Sequence, residues 1–133
     1  MAIEINDMKK IISTDQAPAA IGPYSQAILS GETLYCSGQI AIDPKNGELV
    51  KGTITQETTQ VMRNISAILK AADMDISNVI KCTIFLKDMS KYAEINTVYS
   101  SFFNIEPPAR EAVEVSRLPK NVNVEISVIA SKS

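Results

Sequence analysis

The run Val122-Asn-Val-Glu-Ile-Ser-Val-Ile-Ala130 alternates apolar and polar side chains. Only a period of two puts Val122, Val124, Ile126 and Val128 on one face and Asn123, Glu125 and Ser127 on the other, so the run must be a β-strand with one face in a core. Val79–Leu86 carries the same signature, with Ile80, Cys82, Ile84 and Leu86 sharing a face. Half-apolar strands cannot bury that face alone; they need a sheet and a second layer to cover it.

Two helical patterns supply the layer. Val61, Ile65, Ile68 and Ala72 recur at i, i+4, i+7 and i+11, behind Thr55 as N-cap and with Glu57 in the first turn, where the helix dipole favours a carboxylate. Arg63, Asn64 and Lys70 lie off that stripe. Tyr92, Ile95, Tyr99 and Phe102/Phe103 repeat at helical spacing, Asp88 and Ser90 compete to cap them, and the pattern stops before Pro107-Pro108. Lys9–Ser13, Gln26–Ser30, Leu34–Ile42 and Glu48–Lys51 read as opening strands, punctuated by the Pro-rich loop 17–24, Gly31-Glu32 and the turn Asp43–Gly47. Ala109–Val115 is the remaining strand, joined to the last by Arg117–Asn121. The order predicts one α+β domain over residues 1–133, with both helices on one sheet face and the other face meeting water or another subunit.

Composition narrows the chemistry. The 133 residues include no histidine, which excludes Ser-His-Asp and Cys-His arrangements and the common His-containing metal sites. Catalysis must use carboxylates, Arg, Lys, Tyr, Ser/Thr or backbone. Cys36 and Cys82 form neither a CxxC motif nor a paired metal site and read as buried free thiols, which suit a reducing cytoplasm. The acidic segment Met1–Asp7 does not resemble a signal peptide, and no run approaches the ~18 apolar residues of a membrane span. A pI near 5.1 without a basic cluster makes nucleic-acid binding an unattractive main task. The expectation is a cytoplasmic protein.

Several residues stand out. Asn96 falls within the apolar stripe of the second helix, where a buried amide needs a partner: a neighbouring loop backbone, or a ligand in a cleft. Arg110 follows two prolines at the start of a strand, and its planar fork suits a carboxylate; the ordinary alternative is an ion pair with Glu114 or Glu125. If the last two strands form a hairpin about Leu118-Pro119, Arg110 and Glu125 are near neighbours in the ladder. In a partly desolvated cleft, Glu125 would have the raised pKa that proton exchange near neutrality requires. Tyr24 could be a packed ring or a lid, and Ser37-Gly38 in mid-strand either a bulge or a place where backbone approaches a ligand.

In order along the chain, Ala19-Ala-Ile-Gly-Pro-Tyr-Ser-Gln-Ala27, Cys36-Ser-Gly-Gln-Ile40, Val79-Ile-Lys-Cys-Thr-Ile-Phe-Leu-Lys-Asp88, Asn96 with Tyr99 and Phe102-Phe103, Pro108-Ala-Arg110 and Val113-Glu-Val-Ser-Arg-Leu-Pro-Lys120 closely resemble the reactive intermediate deaminase family, RidA or YjgF. The resemblance runs from about Lys10 to Ala130. It implies a chorismate-mutase-like α+β fold, a mixed β-sheet with two helices on one face, assembled as a homotrimer with clefts between subunits. It implies hydrolysis of enamine and imine intermediates such as 2-iminobutanoate and 2-iminopropanoate to 2-oxo acids and ammonia, without cofactor or metal. Position by position, Arg110 resembles the arginine that clamps the substrate carboxylate and Glu125 the acid that positions the attacking water. Tyr24, Ser37, Gly38 and Asn96 match other cleft positions. Ala112 departs from the pattern: many active relatives carry Cys or another reaching side chain there, whereas alanine offers only its backbone N–H.

Overall fold

A computed structural model describes residues 9–133; the segment Met1–Asp7 lies outside them. Eight strands and two α-helices follow one another as β1 (Lys10–Ile12), β2 (Ala27–Ser30), β3 (Thr33–Gln39), β4 (Ile42–Asp43), β5 (Glu48–Leu49), α1 (Ile54–Ala71), β6 (Val79–Leu86), α2 (Tyr92–Phe102), β7 (Ala109–Glu114) and β8 (Val124–Ser131). Six strands form one sheet in the order β1-β2-β3-β8-β6-β7, and β4 and β5 form a small ribbon beside it. Within the sheet only β6 and β7 run parallel, as they must when a helix, α2, makes the crossover between them.

The expected alternation of β8 is present. Val124, Ile126, Val128 and Ala130 are buried, while Glu125, Ser127 and Ile129 between them are half-buried on the opposite side. Val61, Ile65, Ile68 and Leu69 of α1 and Ile95 and Tyr99 of α2 join the same core, so the helices cover one face of a mixed sheet. The other face carries no helix of the described residues.

The hairpin of the last two strands is not formed. β8 inserts between β3 and β6, antiparallel to both, and leaves β7 at the sheet edge paired to β6 alone. Alternation identifies the buried face of a strand, not its neighbour, and the Arg117–Asn121 segment is long enough to pass over β6.

Four further details depart from the expected pattern. A register shift between Val79 and Lys81 turns Val79 into the core and leaves Ile80 51% exposed, so Ile80 does not share the face of Cys82, Ile84 and Leu86. Helix α1 begins two residues early: the Thr53 hydroxyl accepts from the Gln56 N–H (3.1 Å) and the Gln56 side chain accepts from the Thr53 N–H (2.9 Å), a reciprocal cap. Asn64, off the apolar stripe, is nonetheless buried, because its amide donates to the Ile40 and Ile42 carbonyls at 3.1 and 3.0 Å and ties α1 to the β3–β4 link. Neither Asp88 nor Ser90 caps α2 itself: Asp88 caps the short 3₁₀ turn Met89–Lys91 ahead of it, accepting from the Ser90 N–H, and the residue at the N-terminus of α2 is Lys91, which makes no side-chain cap bond.

Cys36 and Cys82 are buried free thiols. Both stand level with Val128, one on each flanking strand, which sets their Cα atoms two strand spacings of about 4.8 Å apart, beyond disulfide reach. Burial, then the neighbouring Cys82, pushes the Cys36 thiol up to about 12, so it stays protonated and inert. No helix among the described residues is long and apolar enough to cross a membrane.

Candidate active site

Arg110 is the second residue of β7, opposite Cys82. On an inner strand its side chain would be lost in the core; at the sheet edge it runs along the helix-covered face to the side of α2. There it meets Tyr92, Asn96 and Tyr99, spaced i, i+4 and i+7 so that all three project from one face of the helix. Arg110 Nη1 donates to Asn96 Oδ1 at 2.7 Å, and Nη2 donates to the Tyr92 hydroxyl. The guanidinium carbon lies 4.8 Å from the Tyr99 ring centroid and 5.5 Å from that of Tyr92. Each such cation–π contact contributes about 0.5–2 kcal/mol, more as water is excluded.

The amide of Asn96 thus holds a side chain rather than a loop backbone, and it stands half-buried beside the cation. Among the described residues no carboxylate comes within 4.0 Å of the Arg110 guanidinium; the one such ion pair joins Lys81 to Glu111 at 3.2 Å. Glu114 is occupied elsewhere, its Oε1 accepting from the Met89 N–H at 2.7 Å. Arg110 is therefore a charge held in place by neutral oxygens and ring faces, with three of its five N–H donors, five less the two in use, having no partner among the described residues. Such a cation can take an anion, and its planar fork favours a carboxylate. Ala112 lies two residues on, facing the same way against the core, and contributes no polar side chain.

Glu125 sits on the opposite face of the sheet, level with Phe85 of β6. It lines a cavity of about 560 Å³ with Tyr24, Ser37, Gly38, Ile21 and Lys120. Burial raises its carboxyl above the ordinary carboxylate range, the direction expected of a group that exchanges protons near neutral pH. The β3 register shifts between Cys36 and Gln39, so Ser37-Gly38 is a bulge. It is also a close approach: a Cβ on Gly38 would stand 2.2 Å from Glu125 Oε2, which makes the bare backbone a condition of the carboxylate's position. Ser37 Oγ donates to the Ser25 carbonyl at 2.6 Å and fixes the neighbouring loop.

Tyr24 is not a packed ring; it is 52% exposed at the edge of this cavity. Its loop is anchored by Gln26, which sequence reasoning passed over. The buried Gln26 amide accepts from the Thr14 N–H at 2.7 Å and donates to the Thr14, Ala17 and Pro18 carbonyls, the Pro18 bond at 2.8 Å. Four bonds from one side chain replace the ladder that an irregular, Pro-containing loop cannot make. Glu57, by sequence a dipole partner in the first turn of α1, is buried, and its two oxygens accept from the Asn123 N–H (2.8 Å) and amide (2.7 Å), pinning the chain two residues ahead of Glu125.

The candidate residues therefore fall into two groups. Arg110, Asn96 and Ala112 lie at the β7 edge on the helix side; Tyr24, Ser37, Gly38 and Glu125 surround the cavity on the other. Arg110 and Glu125 are separated by two strand spacings and three residues of β6, about 10 Å in each direction, as well as by the sheet itself. The near-neighbour arrangement expected from a hairpin does not hold, because β6 stands between the two strands.

Comparison with known proteins agrees with this architecture. The family model described as Endoribonuclease L-PSP matches residues 14–132. A RutC family protein of Pyrococcus horikoshii is 56% identical over 125 residues, covering 94% of this chain and 99% of the relative. A Bos taurus protein named 2-iminobutanoate/2-iminopropanoate deaminase is 50% identical over 123 residues, covering 92% and 90%. The crystal structure of YyfA from Yersinia pestis, a protein of unknown function of the conserved Rid protein family, superposes with a TM-score of 0.91 at 46% identity, covering 93% of this chain and 99% of that one. The α+β fold is accordingly the chorismate-mutase-like one that the motifs implied. With a family match over nearly the whole chain and relatives at half identity or more, the chain belongs to the reactive intermediate deaminase family, RidA/YjgF.

Proposed function

We propose that the chain is a 2-iminobutanoate/2-iminopropanoate deaminase, hydrolysing imines, and the enamines that tautomerise to them, to 2-oxo acids and ammonia. The observation that carries this reading is the Arg110 cation: oriented, un-neutralised and with donors to spare. It would take the carboxylate that every 2-imino acid bears. The name of the bovine relative points the same way.

The chemistry needs one more group. Glu125, as carboxylate, takes a proton from water as the water oxygen adds to the C=N carbon, and returns that proton to the former imine nitrogen to give a carbinolamine. The carbinolamine hydroxyl then gives its proton, through Glu125, to the amino nitrogen as C=O forms, C–N breaks and ammonia leaves, so that Glu125 ends as the carboxylate it began as. Positioned proton transfer of this kind contributes about 10²–10⁴-fold, and orientation of a water already able to react supplies the rest. The reaction calls for no cofactor.

One subunit cannot bring Arg110 and Glu125 to the same small substrate, since they face opposite sides of its sheet. We therefore propose a homotrimer in which Arg110 of one subunit meets the Glu125 cavity of the next across the uncovered sheet face. A closed ring of three identical contacts gives three identical clefts. Two buried free thiols suit action in a reducing cytoplasm.

A second reading is favoured by Ala112, which places no reactive side chain beside the clamp: a non-catalytic protein that binds small carboxylates and regulates a partner. A coupled assay separates the two. Threonine dehydratase generates 2-iminobutanoate and semicarbazide traps it. The deaminase lowers trapping, and Arg110→Ala or Glu125→Ala abolishes the effect; Arg110-dependent binding of 2-oxobutanoate without reduced trapping identifies the regulator.

A further inference from the structure

We propose that Tyr92 is a positioning residue for the carboxylate clamp, its phenol oxygen holding the Arg110 guanidinium in one rotational setting. The inference rests on Arg110 being the carboxylate-binding group proposed above. By sequence, Tyr92 is one more apolar position of α2. In the fold it is the first residue of that helix, half-buried, and its hydroxyl accepts from Arg110 Nη2.

The argument is one of degrees of freedom. An arginine carries about 2 kcal/mol of rotamer entropy, and a single bond from Nη1 to Asn96, even with the Tyr99 ring centroid 4.8 Å away, leaves the guanidinium free to turn about that contact. A second acceptor on Nη2 stops the swing. Tyr92 and Asn96 are one helical turn apart, with Cβ atoms about 5–6 Å from each other, so α2 grips both terminal nitrogens from one rigid surface. The remaining N–H groups then point one way before substrate arrives, and the cost of ordering them is not charged against binding.

The choice of acceptors matters as much as their place. A carboxylate at position 92 or 96 would hold the guanidinium equally well but neutralise it and compete with the ligand. A phenol and an amide orient the cation and leave its charge for the anion. Tyr92→Phe isolates the oxygen, because the ring that stands 5.5 Å from the guanidinium carbon is retained.

The test compares wild type with Tyr92→Phe in three measurements: the dissociation constant of 2-oxobutanoate, the imine-trapping rate at limiting and at saturating imine supply, and the Arg110 Nη resonances. The expected result is a dissociation constant raised about tenfold. Flux at limiting imine should fall by a similar factor and at saturating imine by less than about twofold, the mark of lost uniform binding. The Arg110 Nη resonances, distinct in wild type, should merge as rotation is freed, with melting within about 2 °C of wild type. Unchanged affinity with unchanged Arg110 resonances would overturn the proposal, as would a fall at saturating imine as large as that at limiting supply. The deaminase reading fails separately: a wild type that binds 2-oxobutanoate through Arg110 but leaves trapping unaltered contradicts the enzyme while affinity and resonances still judge Tyr92. A wild type that binds no 2-oxobutanoate overturns the proposal for Tyr92, while the trapping assay still judges the enzyme.

Discussion

Arg110 and Glu125 stand on opposite faces of one sheet, on strands that flank β6. The partners of Arg110 are neutral and leave its charge available, and burial lifts the proton affinity of Glu125. Under the proposed function, a substrate must touch both.

Gly38→Ala should leave the fold intact and damage the chemistry. The added methyl would meet Glu125 Oε2 at 2.2 Å, so the flexible carboxylate, not the backbone, gives way. Displacing it by about 1 Å is expected to reduce the rate of imine loss by about 10²-fold. Thermal melting and the trapping assay together check this: near-native melting with strongly reduced turnover is the expected pair.

Glu125 also links pH to activity and stability. As a base it must be ionised, so activity should fall as pH drops through its raised pKa, on a limb lying above the ordinary carboxylate value of 4.5. Between that value and the raised one the folded chain binds more protons than the unfolded chain, so stability contributed by this group falls as pH rises through the window. Glu125→Gln should therefore remove activity, and its melting temperature relative to wild type should rise as pH climbs through the window. Melting curves and rates across pH 4–8 read both signs.

Asn96→Asp tests the neutrality of the clamp. A carboxylate in place of the amide pairs with Arg110 at the 2.7 Å contact and neutralises it. Affinity for 2-oxobutanoate should fall by about 10²-fold or more while melting holds or rises, since the partly buried pair is gained as the ligand site is lost. Calorimetric titration beside thermal melting checks the opposite movement of the two.

Glu57→Ala should destabilise by about 1–3 kcal/mol, because it strands the Asn123 N–H and amide without acceptors in a partly buried place. Denaturant unfolding measures this directly. Glu57→Gln, which keeps one acceptor oxygen, should lose less.

Much of this was legible in residues alone. The alternation of β8 and the two helical stripes follow from period, whereas Arg110, Glu125 and Asn96 stand out by residue type and are drawn together as one site only by the family resemblance. What escaped were relations between elements. Alternation says which face of β8 is buried but not that β6 lies between β8 and β7, and on that depends whether Arg110 and Glu125 are neighbours. The shift at Val79/Lys81 that expels Ile80 is a local slip which a period-two count passes through. The buried bonds of Asn64, Gln26 and Glu57 have no mark in the sequence, because polarity is visible there and a waiting carbonyl or N–H from a distant loop is not.

The shared cleft is the central claim, and mixed oligomers test it most directly. Arg110→Ala and Glu125→Ala proteins, each inactive in the trapping assay, are unfolded together and refolded as a mixture. If each cleft takes Arg110 from one subunit and Glu125 from another, random assembly restores about a quarter of the clefts to the wild-type pair, and imine loss should return to about a quarter of the wild-type rate. A mixture that oligomerises yet stays as inactive as its components would contradict a site built between subunits.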